Sequence, residues 1–559
     1  MSPERLLHHF DQITEAPDAV PRLRRFIVDL AILGKLGPND STDGLSVVLQ
    51  SEIQVEKQKL LREGKIRGGK SLPPIKKEEI PVQHETTAVF VRLAEIAQIE
   101  KGAIGIQKAK PGEYPLIGLA EEWSTCDCYQ FDAKAAIIPL ISSTGHGHAC
   151  IKRLHYQEGK FALSNILCAV IPYVPDIVSA RFLYEYFCAY KEPLFVSKMI
   201  GTANVSLTIG KIGEVPVPII SPTAQNCVYE LMTLCDELEV AQAKREKRRD
   251  RLVAATLHGL NNGDENGEPG ILPTFKESAR FYINHLPRLT TRLEHIRQLR
   301  QTILNLAVRG KLVPQDPNDE PVAALLQRID KERAITAKVD RRADVELQEL
   351  LAGELRWGVP PTWSWRGVAD LVLFIDYRGK TPAKTDSGIR LITAKNVRRG
   401  FINLAPEEFV TETTYNGWMK RGFPREDDIL FTTEAPMGNA AVVHLQEKFG
   451  LAQRVINFRP YGDIDSDFLV LQMLSEPFQS ILDKSATGLT AKGIKATKLK
   501  RLPLAVPPLG EQRRIVAKVD ELMTLCDELE AKLTSKAARR RQLLDDALYK
   551  ALKVHYGIQ

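Results

Sequence analysis

The sequence lacks the features that mark a membrane, secreted or disulfide-built protein. No run of about 18 apolar residues occurs in the 559-residue chain, so no segment is long enough to span a bilayer. The first residues, MSPERLLHHFDQ, carry charge where a secretory signal needs an apolar core. There are only 8 cysteines, and they are scattered. They read as reduced thiols, and the expected location is the cytoplasm. Charge of one sign is not in excess either: 76 Lys and Arg against 70 Asp and Glu leave +6. That balance does not announce a polyanion as partner, although a basic patch can sit inside a near-neutral total.

Catalytic motifs are also missing. The chain has no Asn-Pro-Pro-aromatic or Asp-Pro-Pro-aromatic tetrad, no G-x-S-x-G, no H-E-x-x-H, and no G-x-G-x-x-G after a strand. Three partial matches fail on context. Gly64–Ser71 fits the P-loop pattern, but charged helix-forming residues precede it and Leu72-Pro73-Pro74 follow, where a phosphate loop needs a strand before and a helix after. Asp463, Asp465 and Asp467 open like a calcium loop, yet Phe468 stands where Gly is required and Leu474 where Glu is required. Cys126, Cys128, His146, His148 and Cys150 do not have the usual C-x₂₋₄-C spacing of zinc sites. No metal ligand and no catalytic residue is assigned.

What the chain does have is a duplication. Leu231–Glu239 reads LMTLCDELE, and Leu522–Glu530, 291 residues later, reads LMTLCDELE again. An identical nonamer does not arise twice by accident, so the chain consists of two related halves. Leu23–Asp40 returns at Leu299–Asp316, sharing a Gly-Lys-Leu-x-Pro box (Gly34–Pro38, Gly310–Pro314). The register continues into a second helix, where Ile53 meets Ile329 and Glu56 meets Glu332. Pro216 and Gln225 meet Pro503 and Gln512.

The texture divides the chain as follows. Residues 1–89 form a helical repeat region, and 90–220 a first mixed α/β domain of short β-branched runs broken by Gly and Pro. Residues 221–354 form a central helical spacer with a linker at 261–274 (NNGDENGEPGILPT). Residues 355–508 form a second globular domain, and 509–559 a final helix. The fold class is α+β: two mixed α/β domains joined by long antiparallel coiled-coil helices, with an internal twofold repeat. Ile515, Val519, Leu522, Cys526, Leu529 and Leu533 step 4-3-4-3-4, a heptad seam, and Leu231, Cys235 and Leu238 keep the same phase. The first copy is four residues shorter just upstream of the nonamer; four residues are close to one turn, so the apolar face is barely rotated.

The helices are alike between the halves and the domains are not. Polar loops fall at equivalent places in the two domains. In the first they are Ser142, Ser143, Thr144, His146 and His148, with Lys152 and Arg153, and later Thr202 and Asn204. In the second they are Thr432, Thr433 and Asn439, and later Thr490 and Lys492. The second domain adds Arg378, Lys380, Lys395, Asn396 and Arg398. Short donors and acceptors among glycines can approach base edges, and Lys or Arg can hold phosphates. Each such residue taken alone is equally at home in an ordinary turn.

The Gly-Lys-Leu-x-Pro boxes, Leu72–Ile75 (Leu-Pro-Pro-Ile), Pro507–Gln512 (Pro-Pro-Leu-Gly-Glu-Gln) and Ile515–Glu530 together resemble the specificity subunit of type I restriction-modification systems. Two departures are local: Ser221–Gln225 lacks the next helical turn, and the first domain lacks the Pro361-x-Trp363 segment. The resemblance implies that each domain is a target-recognition domain reading one half of a bipartite, asymmetric target in double-stranded DNA. It implies that the helices set the unread gap and dock two modification (methyltransferase) subunits, with two restriction (translocase/nuclease) subunits completing the complex. S-adenosylmethionine, ATP and magnesium would then belong to the partners, and this chain would be non-catalytic. The alternative from the residues alone is a two-headed coiled-coil scaffold that binds proteins; a third reading, an ATP-using enzyme, depends on Gly64–Ser71.

Overall fold

In the computed structural model the described residues run from 14 to 553, apart from 17, 37–44, 67–71, 83–85, 87, 145–146, 203–204, 263–273, 337–357, 378–381, 453 and 489–491. The chain divides into two compact units, Met1–Glu246 with Lys536–Gln559, and Lys247–Ser535. Two helices are common to both: Pro222–Asn262, of 41 residues, and Leu509–Lys553, of 45.

Each unit contains one copy of the same helical packing. In the first, Ala19–Ile32 buries Ile27, Val28, Ala31 and Ile32, residues at helical spacing. The helix stops at Gly34, whose φ of 67° suits a residue without Cβ. Lys35 N–H donates to Leu30 O at 2.8 Å and Gly34 N–H to Ala31 O at 3.1 Å, closing the last carbonyls. The second unit repeats this: Leu293–Ala307 ends at Gly310, φ also 67°, with Lys311 N–H donating to Leu306 O at 3.0 Å. A Cβ on Gly310 would lie 2.4 Å from the Pro360 ring, so glycine is required there for packing as well as for φ. The Gly-Lys-Leu box is thus a helix terminator. The following helices, Leu45–Arg62 and Val322–Thr336, bury Ile53 and Ile329 at matching positions.

The globular domains share one topology despite their different sequences. Each is fastened at its base by a two-stranded antiparallel clasp, Val89–Arg92 with Pro216–Ile219 in the first and Ser364–Gly367 with Pro503–Val506 in the second. In the first, a four-stranded antiparallel sheet has the order Ala97–Lys101, Leu167–Pro172, Ala135–Pro139, His155–Gln157. Its counterpart has the order Val372–Asp376, Val455–Pro460, Ile429–Thr432, Ala440–Val442. Beside it lies a smaller sheet built on one parallel pair, Tyr114–Ile117 with Lys160–Leu163, or Ile389–Ile392 with Phe449–Leu451. A helix, Ala180–Ala189 or Ser466–Leu474, covers the larger sheet.

One buried glutamine ties each domain to a long helix. Gln225 donates to Ile177 O at 2.7 Å and Ile220 O at 3.1 Å, and accepts from Ser179 N–H at 2.8 Å. Gln512 donates to Pro507 O at 2.9 Å and accepts from Asp465 N–H at 3.0 Å. Ser179 and Asp465 are the N-caps of the two covering helices. A buried amide that satisfies backbone groups on both sides fixes where each long helix leaves its domain.

The heptad seam faces the core in both units, with its cysteines buried and its leucines partly buried. Cys235 is buried, with Leu231 and Leu238 packed on the same core, against the side of Ala19–Ile32. Ile515, Val519 and Cys526, with Leu522, Leu529 and Leu533 beside them, pack on Ile296, Ile303 and Ala307. The far ends behave alike: Leu544 and Ala547 pack on Ala16 and Ala19, and Val253 and Leu257 pack on Tyr282 and Leu289.

Candidate nucleic-acid interface

In the first domain, the connection after strand Ala135–Pro139 carries Ser142–His148. The Ser142 hydroxyl organises it, accepting from Cys150 N–H at 3.2 Å and Thr144 N–H at 3.3 Å and donating to His148 O at 2.6 Å. Ser143 Oγ accepts from Lys152 N–H at 3.1 Å. Isolated bridges Ile141–Ser206 and Ile200–Ser206 bring the loop holding Thr202 against this connection. Thr202, His148, Lys152 and Arg153 are exposed, and Arg153 pairs with Glu121 at 2.9 Å. The serines therefore shape the loop, while Thr202, His148 and Lys152 face solvent and Arg153 is held by Glu121.

The second domain makes the same junction. Bridges Glu434–Gly493 and Thr487–Gly493 join the connection after Ile429–Thr432 to the loop that ends at Lys492. A third segment is added here. Residues 396–402 form a tight arm closed by the Val397–Ile402 bridge, with Arg398 N–H donating to Phe401 O at 2.9 Å and Gly400 at φ 88°. Asn439 Nδ2 donates to Val397 O at 2.9 Å, and Gly400 N–H to Ala440 O at 2.9 Å, so arm and connection form one surface. Exposed Lys395 and half-buried Arg398 stand on it.

Three sequence expectations need correction. Asn396, Thr432 and Thr433 are buried, not surface groups. Asn396 accepts from Thr393 N–H and Oγ1–H at 2.9 Å each and donates to Asn403 O and Pro406 O. Thr432 closes the strand end by accepting from Asn439 N–H at 3.0 Å. Polar residues in a Gly-rich stretch read as surface, but here they satisfy the backbone of a tight loop. His146, Asn204, Arg378, Lys380 and Thr490 lie outside the described residues. Lys492 pairs with Asp483 at 2.7 Å.

Sequence reasoning missed Phe401, which is 59% exposed at the tip of the arm beside Arg399. The signal was present as Arg-Arg-Gly-Phe, a glycine turn carrying cations and an aromatic. Exposed Trp123, packed edge-on against His155 at 5.5 Å, was missed too.

The P-loop match at Gly64–Ser71 has the wrong geometry where it is described. Gly64, at φ 66°, terminates the helix Leu45–Arg62, with Lys65 N–H donating to Leu60 O at 3.0 Å. Just beyond, the Leu-Pro-Pro-Ile stretch is held by a buried arginine. Arg92 donates to Pro73 O at 3.0 Å, Pro74 O at 2.8 Å and Glu79 at 2.6 Å, and also to Glu214 O. The hydrogen bond from Arg92 holds the Glu79 carboxyl at a pKa of about 2, well below the usual carboxylate range. This latch joins the end of the helical region to the base of the first domain.

Residues 85–247 and 388–539 match the family described as Type I restriction modification DNA specificity domain. The chain belongs to this family.

Two curated members of the specificity family are similar over nearly the whole chain. The type I restriction enzyme EcoAI specificity subunit of Escherichia coli is 27% identical over 564 residues, 95% of this chain and 93% of that protein. The EcoEI specificity subunit of Escherichia coli is 27% identical over 582 residues, with the same coverage of 95% and 93%. A solved chain, from work on complex assembly and conformational transition of the type I R-M system, is 15% identical with a TM-score of 0.44, covering 87% of this chain and 100% of that one. The family matches take in the loop junctions of both domains and both copies of the nonamer. Among the described residues, no helix is long and apolar enough to cross a membrane.

Proposed function

We propose that this specificity subunit reads a bipartite, asymmetric DNA target, one half with each globular domain, and carries no active site of its own. The observation that supports it most is the paired junction. In both domains the loop after the third sheet strand is bridged to a second polar loop, at Ile141–Ser206 and at Glu434–Gly493. The frame is the same and the side chains on it differ, as expected of two readers of different sequences. Cations on these loops hold phosphates, and short polar groups and backbone meet base edges in the groove. Each correct base pair contributes about 1–3 kcal/mol of discrimination, so two short half-sites are selective only when engaged together.

The long helices are the spacer in this reading, fixing the unread gap and placing the half-sites about one turn of the duplex apart. They also dock two modification subunits, with two restriction subunits completing the complex. The repeated nonamer supports this. Its seam cysteines are buried and its seam leucines partly so, yet it also preserves an exposed leucine in both copies, Leu234 at 58% and Leu525 at 47%. Internal packing does not require an exposed apolar side chain, so its presence at both repeat positions fits two copies of one partner. S-adenosylmethionine, ATP and magnesium belong to those partners in this proposal, and the chain works in the cytoplasm.

The test is binding of the assembled chain and modification subunits to DNA at several salt concentrations. Affinity that falls steeply with salt and depends on sequence supports the reading. Binding that is indifferent to both would favour a scaffold for proteins.

A further inference from the structure

Cys126, Asp127 and Cys128 turn the chain out of strand Ser124–Cys126, at the rim of the smaller sheet of the first domain. The two sulfurs are 3.7 Å apart, and Asp127 Oδ1 is 3.7 Å from Cys126 Sγ. One ligand atom from each of the three falls within 4.8 Å of the others. Both cysteines are free thiols. Two thiolates bound to one tetrahedral zinc at about 2.3 Å each stand about 3.8 Å apart. The sulfurs therefore sit at chelating separation, with no backbone movement needed.

The backbone beneath them is held in place. Asp127 N–H donates to Lys110 O at 3.0 Å, and Cys126 pairs with Tyr114 across the sheet. Gly112 approaches so closely that a Cβ there would lie 2.3 Å from Asp127 Cα. Cys126 is buried while Asp127 and Cys128 are exposed, so an ion at this rim has protein on one side and solvent on the other. In the second domain the equivalent register sets Ile389 opposite Val410, and the matching tripeptide is Val410-Thr411-Glu412. The shared fold thus does not require thiols at this corner.

The geometry points to a thiophilic metal site on the first domain: zinc, or another soft divalent cation, held by the Cys126 and Cys128 thiolates and the Asp127 carboxylate, with a fourth position open to solvent. Two thiolates select such ions over magnesium or calcium. Each coordinating thiol gives up its proton to solvent on binding. The C-x-C spacing departs from the usual zinc pattern, which is why the sequence alone assigned no ligand there; the site does not depend on the DNA-reading role.

The test uses the full chain, reduced with a phosphine, titrated with cadmium and read by thiolate-to-metal absorption, with zinc as competitor. One equivalent per chain is expected, displaced by zinc and accompanied by proton release. Cys128→Ser, at an exposed position that leaves the core intact, should lose that equivalent. Asp127→Asn should weaken it by roughly tenfold or more, while Cys188→Ser should retain it. Absence of uptake by the wild-type chain, or an undiminished band in Cys128→Ser, would overturn the assignment.

Discussion

Arg24 and Arg300 do the same work in two copies of one packing unit. Arg24 Nη2 reaches Asp236 and, at 3.2 Å, Glu239; Arg300 Nη2 reaches Asp527 at 2.5 Å and Glu530 at 3.1 Å. Each arginine also lies 3.9 Å from a nonamer methionine sulfur, Met232 or Met523. The nonamer is therefore preserved in part because each copy holds a helix from the opposite end of its own unit.

Removing either clasp should have nearly the same effect. Arg24→Ala and Arg300→Ala break pairs whose carboxylates are 49% to 70% exposed, so each should cost only about 0.5–1 kcal/mol. Hydrogen exchange should rise along Ala19–Ile32 in the first variant and along Leu293–Ala307 in the second. A large effect from one and none from the other would contradict the equivalence.

Gln225 and Gln512 should matter more, because they are buried. Gln512→Ala leaves the Asp465 amide and the Pro507 carbonyl without their partner, and should cost about 2–3 kcal/mol. Faster exchange at the Asp465 amide, or at Ser179 in Gln225→Ala, checks this directly.

The Arg92–Glu79 latch has a pH signature. The Glu79 pKa in the folded chain, about 2, lies below its unfolded value, so its stabilisation is full above about pH 4.5. It is lost as pH falls from there through about 2. Glu79→Gln should be less stable than wild type by about 2 kcal/mol at neutral pH, and the gap should close on acidification. Thermal unfolding of both proteins across that pH range measures it; a constant gap would show that Glu79 does not act through its charge.

The arm of the second domain can be tested on DNA. Arg398→Ala should weaken binding of the assembled complex and lower the salt slope by about one if Arg398 contacts a phosphate. Phe401→Ala should weaken binding without that change in slope. Salt titration of both variants separates the two roles.

Much of this was legible because helices state themselves locally. Gly34 and Gly310 stop their helices as the boxes suggest, and the 4-3-4 spacing of Ile515, Val519, Leu522 and Cys526 marks the buried face. The missing four residues lie between Gln225 and Leu231, inside one continuous helix, so about one turn was lost and the anchor and seam kept their faces. The sheets were less legible, since pairing of Tyr114–Ile117 with Lys160–Leu163 joins segments more than forty residues apart. In the site, Asn396 and Thr432 were misjudged because sequence does not distinguish a polar group facing solvent from one satisfying a loop backbone. Lys152, Arg153 and Lys395, named as cations able to hold phosphates, are exposed, since long cations are rarely buried.

The central claim is that two domains read two half-sites. The most direct measurement is the methylation pattern of DNA from cells carrying this chain and its modification subunit, before and after residues 90–220 are replaced by the corresponding domain of a relative. A bipartite motif that depends on this chain, with one half changed by the replacement and the other half and the gap intact, is the predicted result. A change in both halves, or methylation that persists without the chain, would contradict the account.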